Sequence, residues 1–136
     1  QVSGPVWGCG VNINDYIGLP YKEMGRKINS CDCYGLLRIL YRDLKGIHLE
    51  AYENVKADRA LHNDMIIAGQ KDWQEIEKPG FGDVVCFKIM GLVSHVGMMI
   101  DQTNFIHAWN GTDSCIENIN SIQWRHRVDG FFRYIN

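Results

Sequence analysis

The sequence lacks several features that would define its class at once. No apolar run approaches the ~18–20 residues that a membrane-spanning helix needs, and no signal-peptide pattern opens the chain at Gln1. The formal net charge is −2, and no basic cluster accompanies it. We therefore expect neither membrane insertion nor nucleic-acid binding. Repeats, low-complexity segments and linkers are also missing, so we expect one globular domain spanning 1–136.

The five cysteines lack the spacing of a disulfide scaffold, and their number is odd. This pattern is typical of a protein made in a reducing compartment with at least one free thiol. A zinc or iron–sulfur site is the alternative, built on the Cys-x-Cys pair and drawing on Cys31, Cys33, Cys9, Cys86 and Cys115. Because structural metal sites usually recur as Cys-x-x-Cys, which is missing here, we expect no metal and no other cofactor.

One segment, 30–45, combines a reactive residue with a helix signal. Apolar residues recur at helical spacing over its second half, and Gly46 follows as a stop. Asp32 is placed as the N-cap, which puts Cys33 in the first turn. The partial positive charge of a helix N-terminus favours the thiolate, which is the attacking form of cysteine. Cys33 is therefore a candidate nucleophile.

The remaining chain predicts helices first and strands afterwards. Residues 1–11 have the composition of an extended arm, a short helix is expected over 12–17, and a second helical pattern runs from Ala57 to Gly69. Short strands are predicted at 84–89, 94–100, 105–109, 114–119 and 130–135. This order predicts an α+β fold in which N-terminal helices pack on a five-stranded antiparallel sheet.

Two histidines could serve a cysteine nucleophile. His95 begins one predicted strand and His107 lies in the next. Catalysis by Cys33 needs a base and a second group that orients the base. Taken singly, each histidine is more often a core residue. A two-residue turn at 102–103 would place them on opposite faces of the sheet, so the triad requires an odd loop or a bulge.

Other residues have less specific signals. Cys86 falls in an apolar strand and is interpreted as an inert core residue. Trp109 could form a wall for substrate, although an aromatic residue in a strand is more often core. The segment 124–127 could contact a partner, but a solvated turn is the preferred interpretation.

Four sequence blocks resemble, in the same order, those of the NlpC/P60 cysteine peptidases. The blocks are Asp-Cys-Tyr-Gly-Leu at 32–36, Gly-Asp-Val-Val at 82–85, His-Val-Gly-Met at 95–98 and Phe-Ile-His-Ala at 105–108. The twelve-residue step from His95 to His107 is also that of the family. Leu-Pro-Tyr at 19–21 resembles the family's tyrosine block, so the resemblance covers nearly the whole chain.

The resemblance implies a papain-like fold and hydrolysis of amide bonds in the peptides of the bacterial cell wall. It implies that Cys33 is the nucleophile, that His95 is the general base and acid, and that His107 orients His95. Tyr21 matches the tyrosine near the oxyanion site. Asp32 matches an acidic residue that reads the amine of the substrate.

The sequence departs from the family at two places, and both bear on the substrate pocket. Tyr34 stands where many members have serine, and the segment 22–26 replaces a glycine pair. Tyr34 should narrow or reroute the pocket unless it points away from the cleft. Tyr21, Asp32 and Tyr34 are therefore the candidate oxyanion and substrate-binding residues.

Within the family, the segments 32–42 and 130–133 most resemble the version found in bacteriophage tails. This resemblance implies a phage tail-tip component that acts on peptidoglycan stem peptides with other tail proteins as partners. The expected location is the virion tail, assembled in the host cytoplasm and acting on the cell wall. Two alternatives stay open: a structural tail-assembly protein with little or no hydrolytic activity, and an acyltransferase on the same scaffold.

Overall fold

The computed structural model describes residues 6–7, 11–67 and 71–135. Most of the predicted arm, 1–11, lies outside the described residues, and so does Cys9. The described part of the arm belongs to an antiparallel pair of strands, β1 (Val6–Trp7) and β2 (Val11–Asn12). The extent of the domain, 1–136, stays a prediction.

The N-terminal half carries the helices, as the sequence predicts. A 3-10 turn at Ile13–Tyr16 stands where a short helix is expected. The second helix continues as a π-helical turn over His62–Ile67, and its expected end at Gly69 lies outside the described residues. Over the ranges that the structure describes, no helix has the length and apolar character to span a membrane. The regular elements of this half are β3 (Arg26–Lys27), β4 (Ser30–Cys31), α1 (Cys33–Leu40) and α2 (Ala57–Leu61).

Helix α1 begins directly after Asp32, whose carboxylate accepts a hydrogen bond from the Gly35 N–H at 2.8 Å. The α-helix then gives way to a π-helical turn over Tyr41–Lys45. Gly46 ends this turn in the left-handed region, with φ of 69°. The predicted N-cap and the predicted stop are therefore confirmed, although the last turn is π-helical.

The C-terminal half forms one antiparallel sheet. Its strands are β5 (Trp73–Ile76), β6 (Val84–Ile89), β7 (Leu92–Met99), β8 (Asn104–Trp109), β9 (Thr112–Asn118) and β10 (Val128–Tyr134). Their spatial order is β5-β10-β6-β7-β8-β9, and every neighbouring pair is antiparallel. The α+β class and the antiparallel sheet are confirmed. The expected count of five strands is wrong, because the sheet has six.

The unpredicted strand, β5, lies in a segment whose prolines and glycines indicate a loop. Only Trp73 of its four residues is buried, and Gln74 and Glu75 are exposed. A strand this short shows no alternation that a sequence pattern could reveal. It forms because β10 offers it a partner, with Tyr134 opposite Trp73 and Phe131 opposite Ile76.

The sheet has a separate apolar core on each face. Helix α1 packs on one face, where Leu36 and Leu40 share a cluster with Val96 of β7 and with Cys86, which is buried as expected. The other face carries a second cluster, formed by Val85, Phe87, Met99, Phe105 and Trp124. Burying each large apolar side chain contributes roughly 1.5–3 kcal/mol, so both clusters stabilise the sheet that holds the histidines.

The turn between β7 and β8 decides which face the two histidines share. Met99 pairs with Phe105, which leaves an odd number of residues between them. Asp101 closes the turn, because its carboxylate accepts hydrogen bonds at 2.8 and 2.7 Å from the N–H groups two and three residues further on. An odd connection places His95 and His107 on the same face, which is the condition that the sequence sets for the two histidines to act as a pair.

Candidate active site

Cys33 is the first residue of α1 and is only 6% exposed. The backbone N–H groups of Val96 and Tyr34 lie close enough to its sulfur to lower the pKa of the thiol. Val96 directly follows His95 in β7. The packing of α1 on the sheet therefore brings the sulfur to the strand segment that carries the expected base.

Two glycines allow the preceding loop to close over the first turn of α1. A Cβ on Gly35 would overlap the carbonyl oxygen of Gly25, and a Cβ on Gly25 would overlap that of Ser30. The Gly25 carbonyl also accepts a hydrogen bond from the Asp32 N–H at 3.2 Å. Close backbone contacts of this kind fix the position of the helix start and of the cysteine on it.

Burial raises the pKa of the Cys33 thiol to about 12, and the neighbouring Asp32 carboxylate adds to this effect. The N–H groups of Val96 and Tyr34 and the Arg26 guanidinium lower the pKa without outweighing burial. The expectation that the helix terminus favours a thiolate is therefore wrong for this conformation, because the sulfur is out of water. Cys33 rests as a thiol and needs a base.

His95, His107 and Glu117 form a continuous chain of hydrogen bonds. His95 Nε2 lies 2.7 Å from His107 Nδ1, and His107 Nε2 lies 2.7 Å from Glu117 Oε2. Both histidines are buried, whereas the side chain of Glu117 is 31% exposed on β9, at the edge of the sheet. The geometry fits the expected role of His107 as the group that orients His95.

This chain fixes which nitrogen of each ring carries the proton. Burial lowers the pKa of both histidines, His107 lowers that of His95 further, and Glu117 only partly opposes the shift at His107. Both rings are therefore neutral at pH 7. A carboxylate can only accept, so His107 donates from Nε2 and accepts at Nδ1. His95 then donates from Nε2, which leaves the lone pair on its Nδ1.

An aromatic cluster encloses the His95 ring. Trp124 stacks on it with centroids 5.5 Å apart, Trp109 meets it edge-on at 4.5 Å, and Phe87 lies 5.4 Å away. Trp124 is fully buried, so the interpretation of a solvated turn holds only for the exposed residues 125–127. Trp109 is half-buried against the ring. These side chains keep water from His95 and so keep it neutral.

Cys33 and His95 meet at the same strand segment, but the proton-transfer contact between them is not formed. Among the residues that the structure describes, no hydrogen bond joins the Cys33 thiol to the His95 ring. Val96 belongs to the core under α1, whereas the His95 ring packs with Trp124 on the opposite face. Proton transfer from Cys33 to His95 therefore requires a conformation in which the His95 ring and the sulfur lie on the same side of β7.

Tyr21 lies beside the candidate nucleophile. Its backbone forms an isolated parallel β-bridge with that of Cys31, two residues before Cys33. Burial raises the pKa of Tyr21 to about 12, and the second largest cause is Cys33, so the phenol lies within electrostatic reach of the sulfur. Because the phenol stays protonated near neutral pH, it can donate the hydrogen bond that an oxyanion requires.

Asp32 is fully engaged within the protein. Its Oδ2 accepts from Arg26 Nη1 at 2.7 Å and from the Met24 N–H at 3.1 Å, and its Oδ1 caps α1. The residue is 1% exposed. Both partners of Oδ2 come from the segment 22–26, which replaces the family's glycine pair. Asp32 is expected to bind a substrate amine, but both of its carboxylate oxygens already have partners within the protein in this conformation.

Tyr34 has a structural role in this conformation. Its side chain is buried, its hydroxyl donates to the Glu50 carbonyl at 2.7 Å, and its ring packs against Tyr52. The Arg26 guanidinium lies over the same ring, 5.2 Å from the centroid. These contacts fix Tyr34 to the loop after α1. Tyr34 is expected to narrow or reroute the substrate pocket unless it points away from the cleft, and its buried ring does not line an open pocket in this conformation.

Glu117 is the residue of the site that sequence reasoning missed. It shares a strand face with Cys115, which lies opposite His107 across the sheet. The contact between Glu117 and His107 could have been predicted only if the register of β8 and β9 had been known. Ligand atoms of His107, Cys115 and Glu117 all lie within 4.8 Å of one another, the one such group of three among the described residues. The imagined cluster around Cys31 and Cys33 does not form such a group within the same ranges.

Comparison with known proteins gives both a family match and similarity to a curated protein. Residues 18–133 match the model of the NlpC/P60 family. The Escherichia coli (strain K12) protein described as murein DD-endopeptidase MepS/murein LD-carboxypeptidase is 24% identical over 117 residues, which are 85% of this chain and 55% of that protein. The chain thus spans about half the length of the curated relatives it matches.

Solved structures share the fold over most of the chain. A lipoprotein-like NLP/P60 protein from Staphylococcus aureus superposes with a TM-score of 0.66 and 25% identity, over 90% of this chain and 38% of that one. A NlpC/P60 family protein from Bacillus cereus superposes with a TM-score of 0.68 and 22% identity, over the same shares of each chain. The family match, which covers most of the sequence, shows that this chain belongs to the NlpC/P60 family.

Proposed function

We propose that this domain is a cysteine peptidase that hydrolyses amide bonds within the stem peptides of peptidoglycan. One observation carries the proposal: Cys33 begins a helix and lies near Val96, the neighbour in β7 of His95, whose ring is held by His107 and Glu117. Family membership supports the reaction class, and the description of the Escherichia coli relative as a murein endopeptidase supports the substrate class.

The first step is the transfer of the thiol proton from Cys33 to His95. His95 Nδ1 is the acceptor, because Nε2 already carries the proton donated to His107. The imidazolium that forms is stabilised along the chain to the Glu117 carboxylate. Because the free thiol has a high pKa, the proton transfer accompanies substrate binding and does not precede it.

The thiolate then attacks the carbonyl carbon of the stem peptide and forms a C–S bond. The oxyanion accepts hydrogen bonds from the Tyr21 hydroxyl and from the Cys33 N–H. His95 gives its proton to the leaving amine, the C–N bond breaks, and a thioester remains. Water, deprotonated by His95, attacks the thioester, releases the acid and restores the thiol.

Because the carboxylate of Asp32 is already hydrogen-bonded within the protein, we propose that cleavage does not depend on recognition of a free amine of the substrate. Arg26 and the Met24 N–H occupy the oxygen that would otherwise meet a substrate ammonium group. We therefore assign to this domain cleavage within stems that are still attached to glycan, with little advantage for trimmed peptides that have a free amine.

We place the domain in a phage tail tip, where it would aid penetration of the cell wall beside other tail proteins. The similarity of the segments 32–42 and 130–133 to tail-borne versions supports this placement. None of the relatives named above is described as a phage protein. Location in the virion tail, with assembly in the host cytoplasm, is part of the same proposal.

A second function on the same fold is a structural tail-assembly protein with little hydrolysis. The observation that favours it is the missing hydrogen bond between Cys33 and His95 in the described residues. The hydrogen-bonded chain from His95 to Glu117 favours the peptidase, because a purely structural role does not require an oriented base. An acyltransferase would share the thioester and differ only in the acceptor.

The deciding experiment is incubation with purified peptidoglycan, followed by mass spectrometry of the released fragments. A peptidase releases fragments with new carboxyl ends, an acyltransferase yields stems joined to an added amine, and a structural protein releases nothing. The inactive control is Cys33→Ala, and the matched control is Cys86→Ala, which removes a second buried thiol of the same core cluster. Equal release by the wild type and by Cys33→Ala would overturn the proposal.

A further inference from the structure

The edge of the sheet brings together three side chains of the types that bind metal ions, and one of them, Cys115, has no part in the proposed reaction. His107 and Cys115 are opposite each other in β8 and β9, and Glu117 lies on the same face two residues after Cys115. The Glu117 carboxylate is 2.7 Å from His107 Nε2 and 3.8 Å from Cys115 Sγ. All three ligand atoms lie within 4.8 Å of one another.

We infer that His107, Cys115 and Glu117 form a zinc site whose occupation switches off the peptidase. Imidazole nitrogen, thiolate sulfur and carboxylate oxygen are the three donor types that Zn²⁺ takes in proteins. Three protein ligands leave a fourth position for water. The inhibitory part of this inference rests on the proposed function, whereas the site itself does not.

The site is open to an incoming ion. β9 is the outermost strand of the described sheet, and the backbone of residues 18–19 hydrogen-bonds to it at Ser114. Cys115 is half-buried, and the Glu117 side chain is 31% exposed. His107 Nδ1 is held by His95 at 2.7 Å, which is the kind of outer contact that orients a metal-binding imidazole.

Zinc would reverse the proton positions in the histidine pair. A metal on His107 Nε2 requires a lone pair there, so the single proton of the neutral ring moves to Nδ1. His107 then donates to His95 Nε2, which must become the acceptor and carry its own proton on Nδ1. The pair keeps two protons throughout, and one proton leaves the Cys115 thiol for solvent as the thiolate binds zinc.

This reversal removes the base from the reaction. In the metal-free state His95 Nδ1 holds the lone pair that receives the proton of Cys33. In the zinc-bound state the same nitrogen carries a proton and can only donate. Zinc on His107 therefore inhibits the reaction through the hydrogen bond between His107 and His95, without contact with Cys33.

The test of the site uses Zn²⁺ and Co²⁺ salts added to the whole protein. The expected results are uptake of one zinc ion and a thiolate–cobalt charge-transfer band. Cys115→Ser should weaken zinc binding by at least about 10–100-fold and abolish the band. Cys33→Ala should keep both, and so should His126→Ala, which removes an exposed imidazole elsewhere. A band that is lost in Cys33→Ala, or that persists in Cys115→Ser, would overturn the site.

The test of the switch compares activity with histidine ¹⁵N spectra. Zinc should lower the wild-type rate in proportion to occupancy and move the His95 proton from Nε2 to Nδ1. Cys115→Ser should retain its own zinc-free rate at the same zinc concentration. Zinc uptake without either change would overturn the switch. If the protein cleaves no peptidoglycan at all, the cobalt and ¹⁵N results still decide the site independently of the proposed function.

Discussion

His107 Nε2 lies 2.7 Å from Glu117 Oε2, and this contact sets the proton positions of both histidines in the candidate site. The carboxylate accepts from His107, His107 accepts from His95, and the free lone pair is left on His95 Nδ1. A residue outside the expected triad thus positions the base that the proposed reaction uses.

Replacement of Glu117 by glutamine should slow the enzyme about 10–100-fold, because an amide can donate as well as accept and no longer enforces one tautomer. The charged form of His95 is stabilised by Glu117 through His107, so removal of the carboxylate should also move the acid limb of the kcat/KM profile to lower pH. The pH profile separates positioning from mere stability. Glu77→Gln, at an exposed site, is the control. An unshifted profile at wild-type rate would contradict the role of Glu117.

Alkylation of Cys33 by iodoacetamide should be slow at neutral pH and should keep rising above pH 9. Burial raises the pKa of the thiol to about 12, so little thiolate exists in the free enzyme. Rates are measured by mass spectrometry of the labelled peptide over a pH series. A rate that levels off below pH 7 would mean that the helix terminus outweighs burial.

Asp32→Asn should leave substrate preference unchanged. Asparagine still caps a helix, so α1 should begin at the same residue. The ratio of rates on a free tetrapeptide and on its amine-blocked form should match that of the wild type, because Arg26 already occupies the carboxylate. A selective loss of activity on the free-amine peptide would show that Asp32 reads the amine after all.

Stability should fall as the pH drops below about 6.5, the ordinary pKa of histidine, in part through His95. Burial lowers the pKa of His95 in the folded state. Below about pH 6.5, His95 therefore binds a proton in the unfolded chain but stays neutral in the folded chain. The stabilisation is complete above 6.5 and is lost as the pH falls toward the folded value. A tenfold difference in proton affinity between the folded and unfolded chain changes the free energy of unfolding by about 1.4 kcal/mol.

The control for this prediction is His95→Gln, measured by denaturant unfolding with a chelator present. Asp64 has its pKa raised to about 6 and changes stability in the opposite direction at lower pH, so the difference between the two proteins isolates His95. The wild type should lose more stability than the variant between neutral pH and about pH 5. Parallel losses in both proteins would contradict a buried, neutral His95.

Local signals in the sequence were enough for the elements that carry the site. An acidic N-cap and a glycine stop bracket the cysteine helix, and both act as predicted. The alternation of apolar residues located five of the six strands with ends within two residues. The odd connection between β7 and β8, set by Asp101, resolves the one geometric objection to the histidine pair.

Contacts between distant segments could not be predicted in this way. Glu117 reaches His107 only through the register of β8 and β9, and Trp124 stacks on His95 from a turn that looks solvated in sequence. The pairing of Arg26 with Asp32 likewise depends on how a loop folds over α1. Burial, which a sequence pattern does not report for a single thiol, reverses the expected pKa of Cys33.

The central claim is that Cys33 and His95 act as one catalytic unit on peptidoglycan. The most direct measurement is the rate of fragment release from purified sacculi by the wild type, Cys33→Ala, His95→Ala and the double variant. The account predicts that each single variant loses nearly all activity and that the double variant loses no more, because members of one unit are not additive. Release at the wild-type rate by Cys33→Ala, or losses that multiply in the double variant, would contradict it.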